Sequence, residues 1–119
     1  MTKSEVSRQY NIPIKILNEY QEWGLCGAVQ IAMDDWQYGD QDLERLSMIM
    51  ALHDMGFASE EVEAYMRLQM EGASTQNQRM KMLDKCRSEV LNEIHLKEHQ
   101  LERMDYLRYE IRKNMRQSL

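Results

Sequence analysis

No glycine or proline occurs between Thr75 and Gln117. A stretch of roughly 43 residues without a helix breaker predicts one continuous helix of ~65 Å at ~1.5 Å per residue. Laid on a heptad, its two seam rows are Met80, Arg87, Ile94, Leu101, Arg108, Met115 and Leu83, Val90, Lys97, Met104, Ile111, Ser118. Eight of these twelve positions are apolar: Met80, Leu83, Val90, Ile94, Leu101, Met104, Ile111 and Met115. With no later segment to cover this stripe, the expected cover is a second copy of the chain. At ~0.8 kcal/mol per buried methylene, the stripe is worth several kcal/mol to a partner helix. The alternative is folding back onto the preceding residues. Arg87, Lys97 and Arg108 lie within the seam and would meet like charges in a parallel zipper, so an antiparallel pair is the expected arrangement.

The remainder of the 119 residues suits one small domain, with 43% hydrophobic residues for a core and 29% charged residues for the surface. The first twenty residues carry Lys3, Glu5, Arg8, Lys15 and Glu19, a pattern unlike a secretory signal. No apolar run of about 18 residues is present, so no membrane span is expected. Cys26 and Cys86 do not resemble a disulfide framework, and a cytoplasmic protein is the expectation. Charge is unevenly spread. Residues 1–73 hold five basic against thirteen acidic side chains, and residues 74–119 hold ten basic against seven acidic. The front of the chain is strongly acidic and the back mildly basic.

Thr2-Lys-Ser-Glu5 is a capping-box pattern that predicts a first short helix. Asn11 tolerates a left-handed turn, and Pro13 suits the first position of a second helix. Ile14, Leu17, Tyr20 and Trp23 recur at helical spacing, and Gly24 supplies the stop. Residues 2–24 therefore read as a helix-turn-helix. Over 27–38 the texture alternates, with Asp34-Asp35 as a turn, which predicts a small β-hairpin. A helix-turn-helix followed by such a hairpin is a winged helix. Asp40, as N-cap, opens a third helix over 40–55 through Leu43, Leu46, Ile49, Met50 and His53. Gly56 ends it, and Ser59 starts a fourth over 59–71 through Val62, Tyr65 and Met66. The predicted architecture is mainly α: a winged-helix head over 1–72 and a long dimerisation helix over 73–119.

On these residues the chain resembles the MerR family of bacterial transcription regulators. The resemblance rests on Glu5-Val6, Lys15-Ile-Leu17, Tyr20, Trp23-Gly24-Leu25, Tyr38, Asp42-Leu-Glu-Arg-Leu46, Met55-Gly-Phe57 and Glu60-Glu-Val62, with the long helix behind them. It implies a homodimer joined by antiparallel long helices, with two heads gripping a palindromic promoter on double-stranded DNA so that RNA polymerase can engage it. The departures fall at the groove. Where the family's recognition helix reads Arg-Thr-Leu-Arg-Tyr-Tyr-Glu, this chain has Lys15, Ile16, Leu17, Asn18, Glu19, Tyr20 and Gln21. Where its wing reads Gly-Tyr-Arg, the chain has Asp34, Asp35 and Trp36. Each lost phosphate contact lowers both affinity and its salt dependence.

Asn18 can in principle read an adenine edge. The anchors that remain are Lys3, Arg8, Lys15 and Arg45, with the hydroxyls of Tyr20 and Tyr38. The expected contacts are Lys15, Asn18 and Tyr20 at the groove, and Trp36, Tyr38 and Arg45 at the DNA backbone. The rival expectation is an interaction module whose acidic head meets a protein, either a related regulator through mixed dimers or RNA polymerase itself.

His95 and His99 share a helix face at a spacing able to hold a metal, but both lie outside the seam, and surface histidines are the simpler reading. Cys26 reads as a small buried apolar residue. No catalytic constellation or phosphate-cradling loop is present, so neither an enzyme nor a bound cofactor is expected. Eleven methionines point chiefly to core packing.

Overall fold

The computed structural model describes residues 1–25, 29–31 and 35–117, with the backbone alone at 29–31 and 35–36. Cys26, the Asp34 turn, the Trp36 side chain and Ser118 therefore lie outside the described residues.

Helix α1 (Lys3–Tyr10) begins where Thr2 Oγ1 accepts from the Glu5 amide at 3.2 Å, and ends at Asn11 in the left-handed region with φ 54. Helix α2 (Ile14–Glu22) starts one residue later than expected. Pro13 is its N-cap rather than its first helical residue, because ψ 139 leaves the proline extended while its carbonyl accepts from the amides of Ile16 and Leu17. Gly24, at φ 73, turns the chain out of the helix.

Two three-residue strands, β1 (Val29–Ile31) and β2 (Asp35–Gln37), pair antiparallel in the register Val29 with Gln37, Gln30 with Trp36 and Ile31 with Asp35. The approach at 26–28 and the link at 32–34 fall outside the described residues, so this ladder is all that represents the expected wing over 27–38. The outer end of β2 is held by the start of the chain. Tyr38 donates its amide to the Met1 carbonyl at 2.6 Å, and the Met1 ammonium donates to the Tyr38 carbonyl at 3.1 Å and to Gln37 Oε1 at 3.2 Å.

Helix α3 (Asp40–Asp54) is capped by Gly39, not by Asp40. Asp42 is the reason: its Oδ2 accepts from the Gly39 amide at 3.0 Å, which fixes the first turn one residue earlier. Helix α4 (Ser59–Glu71) has the residue bounds the sequence predicts, and Glu61 Oε1 accepts from the Ala58 amide at 3.1 Å. The core of these helices comprises Val6, Leu17, Tyr20, Leu46, Ile49, Leu52, Val62 and Met66, with Phe57 packed edge-on to Tyr65 at 6.2 Å between ring centroids. Met50 and His53, expected among the inward residues of α3, are only half-buried, and Leu52 takes the core position instead.

A single 3-10 turn (Ala73–Thr75) leads into α5 (Gln76–Gln117). Met1–Met82 forms one compact unit and Leu83–Leu119 a second. The first unit runs past Gly72 because the buried Thr75 hydroxyl lies 2.5 Å from the Leu68 carbonyl and 2.9 Å from that of Gly72. Arg79 donates to Thr75 Oγ1 at 3.1 Å and to the Gly72 carbonyl at 3.3 Å. No residue of α5 is buried. No helix among the described residues is long and apolar enough to cross a membrane.

Candidate nucleic-acid interface

The exposed face of α2 carries Lys15 in its first turn and Asn18 three residues on, a spacing that places both on one side of the helix. Lys3, at the start of α1, reaches the same place: its Nζ donates to Asn18 Oδ1 at 2.7 Å. Lys3 and Asn18 are thus one unit built from two helices, with Lys15 a turn away. Among the residues expected at the groove, Lys15 and Asn18 are placed where a ligand can reach them.

Tyr20 is not. Its side chain is fully buried, and its hydroxyl donates to Asp42 Oδ1 at 2.6 Å. It follows Leu17 on the inward face, so its polar end is taken up by a carboxylate inside the head rather than offered to DNA. Tyr38 is likewise buried, and its hydroxyl accepts from Gln21 Nε2 at 2.6 Å. Both tyrosines position elements: Tyr20 ties α2 to α3, and Tyr38 ties the end of β2 to α2. Arg45 is half-buried and donates through Nη1 to the Leu25 carbonyl at 3.0 Å, which holds the chain leaving α2. That bond uses one of the five guanidinium N–H groups.

Glu19, an acidic departure from the family's recognition helix, stands one turn from Lys15, and its carboxylate is turned toward α3 and α4. Glu19 is 16% exposed and accepts from Ser59 Oγ at 3.3 and 3.5 Å, with His53 Nε2 at 3.8 Å, beyond hydrogen-bond reach. It braces α2 against the end of α3 and the start of α4. Arg67 of α4 adds a second brace, donating to the Trp23 carbonyl at 2.7 Å while paired with Glu63 at 2.8 Å. Neither contact has a local signal in the sequence, because the partners stand 40 and 44 positions apart.

Replacing Glu19 with alanine is therefore expected to lower stability by about 1 kcal/mol, the scale of one lost hydrogen bond. A partly buried carboxylate one turn from Lys15 is screened less than an exposed one, so its removal should raise affinity for a duplex rather than lower it. Urea denaturation and a duplex titration at one salt concentration check the two halves.

The seam residues of α5 stand open. Met80, Val90, Ile94, Leu101, Met104, Ile111 and Met115 are each between 40% and 64% exposed, and Leu83 is half-buried. His95 and His99 are also exposed, with His99 Nε2 accepting from Arg103 Nε at 3.3 Å. Among the described residues no three histidine, cysteine or carboxylate side chains gather as a metal-holding group.

Solved structures that share this fold include the following three. One is a protein of Listeria monocytogenes described as a MerR family transcriptional regulator, with a TM-score of 0.68 at 23% identity over 89% of this chain and 81% of that one. Another is a MerR family transcriptional regulator from Bacillus thuringiensis, with a TM-score of 0.61 at 24% identity over 88% and 93%. A third, HiNmlR, is described as a MerR family regulator lacking the sensor domain and bound to promoter DNA. Its TM-score is 0.65 at 19% identity over 89% and 86%. No curated protein matches the chain. The model of the MerR HTH family of regulatory proteins matches residues 1–69. That span holds both short helices, the strand pair, all of α3 and nearly all of α4, more than half of the 119 residues, and the chain belongs to the MerR HTH family.

Proposed function

We propose that two copies of this chain pair along antiparallel α5 helices and present both heads to a palindromic promoter, as a regulator of transcription. The observation that carries the reading is the exposed group on α2, Lys15 and Asn18 with Lys3 bonded to the latter, on a helix whose Glu19 is turned inward. This is the minimum a groove-reading helix needs: a base-edge group and cations to set its register on the phosphates. HiNmlR, of similar fold, was captured on promoter DNA. In this reading the β1–β2 ladder serves as the wing beside the duplex, with Trp36 and Arg45 near the sugar-phosphate backbone. The α5 stripe gives the dimer its seam.

A second reading has one observation in its favour. Tyr10, Leu43 and Met50 line a surface groove together with the carboxylates of Asp40, Glu44 and Asp54. Such a groove suits a basic amphipathic helix of another protein, such as a related regulator or RNA polymerase.

A salt titration separates the two. On a promoter-derived palindromic duplex, log affinity should fall linearly with log salt concentration. Lys15→Glu should lower affinity on the order of tenfold and reduce the slope by about 1. If the wild type and Lys15→Glu are equally indifferent to DNA at every salt concentration, the DNA reading fails and the protein-binding reading stands.

A further inference from the structure

The bond between Lys3 and Asn18 fixes which atoms of the asparagine face outward. An asparagine alone is two-faced: Oδ1 accepts and Nδ2 donates, the pair of functions that matches adenine N6 and N7. Here the side facing Lys3 must be the oxygen, because an ammonium has only donors to offer. At 2.7 Å this is a short, charge-assisted bond. Among the described residues Nδ2 has no partner, so the amide turns its donor outward.

We infer that Lys3 and Asn18 together form an all-donor reader selective for guanine, not adenine, in each half-site. The inference rests on the DNA-binding reading proposed above and adds the base it prefers. Guanine presents two acceptors, O6 and N7, in the major groove, which match an outward Nδ2–H and one of the spare N–H groups of Lys3 Nζ. Adenine keeps N7 but replaces O6 with an amino group. Although Oδ1 retains a second lone pair, an adenine amino group approaching it would set its own positive N–H beside the ammonium. Cytosine offers an amino group at the same edge and meets the same repulsion. Without Lys3 the asparagine regains its acceptor, and adenine becomes the better match. Lys3 is thus a positioning residue that switches the specificity of its neighbour, as well as a direct donor.

The test is selection from double-stranded DNA with a randomised centre, run with the wild-type chain, Lys3→Met and Asn18→Ala. Lysine to methionine keeps an apolar stem and removes the charge. The wild type should enrich guanine at one symmetric position per half-site. Lys3→Met should move that position to adenine, and Asn18→Ala should weaken the guanine preference, which Lys3 alone then carries, without replacing it by adenine. Measured on single duplexes differing only there, wild type should favour guanine by about tenfold, the scale of one good bidentate contact.

Adenine in the wild-type selection would overturn the inference, as would the same base for wild type and Lys3→Met. So would a Lys3→Met variant that weakens all sequences evenly and lowers the salt slope by about 1, since that is the mark of a phosphate contact. Failure of every variant to enrich any sequence would sink the DNA-binding reading itself, and this proposal with it.

Discussion

With Leu101 and Met104 both replaced by aspartate, the chain should sediment as a monomer at concentrations where the wild type is expected to form the proposed dimer. Both side chains lie on the α5 stripe and are 59% and 57% exposed in the single chain. The proposed antiparallel pair would carry each substitution twice, so four apolar side chains would leave its interface. At a conservative ~1.5 kcal/mol each, the low end for burying such a side chain, the loss is about 6 kcal/mol, or roughly four decades in the dissociation constant. Four new carboxylates against a dry seam add to it. The head should be untouched, because Met1–Met82 forms its own compact unit. Far-ultraviolet circular dichroism and analytical ultracentrifugation at micromolar concentration check both points. A wild-type chain that is itself monomeric there would remove the basis of the dimer, and a double variant that remains dimeric would place the interface elsewhere.

Local rules in the sequence predict the frame of this molecule well, and they fail where one polar side chain meets another far away in sequence. The left-handed turn at Asn11, the bounds of α4 at Ser59 and Glu71, and the open stripe on α5 all follow from capping, breakers and period. Each needs only neighbours within a turn or two. The groove residues are different. The spacing that buries Leu17 also buries Tyr20, and only its hydroxyl argues for the surface. That hydroxyl is satisfied by Asp42, 22 positions on, whose own presence is adequately explained by a helix N-terminus.

Glu19 shows the same gap with the opposite consequence. As a letter it argues against DNA, but its carboxylate accepts from the Ser59 hydroxyl, 40 positions on, and is only 16% exposed. Periodicity says which positions turn inward; it does not say what a polar group finds there. Lys3 and Asn18 are 15 residues apart on separate helices, so the hydrogen bond between them has no trace in either helix alone.

Asp42→Ala should destabilise the head by about 3 kcal/mol. Asp42 is 3% exposed and uses both carboxylate oxygens: Oδ1 accepts from the Tyr20 hydroxyl at 2.6 Å and Oδ2 from the Gly39 amide at 3.0 Å. One residue thus joins α2 to α3 and caps α3. A buried hydrogen bond to a charged group is worth about 1.5–3 kcal/mol, and an acidic residue at a helix start adds about 0.3–1 kcal/mol. Alanine loses both and strips a buried hydroxyl of this acceptor. Tyr20→Phe should cost less, about 1–1.5 kcal/mol, because it removes donor and desolvation penalty together. Asp42→Asn should fall between them, since an amide oxygen can still accept from one of the two donors. In the double variant Asp42→Ala with Tyr20→Phe the loss should be smaller than the sum of the singles, because a single shared bond cannot be broken twice. Urea denaturation at one fixed protein concentration measures all four, the fixed concentration keeping any self-association constant across the series. Additive losses would mean that Tyr20 and Asp42 act separately, and α2 would then owe its position to the apolar contacts of Leu17 and its neighbours alone.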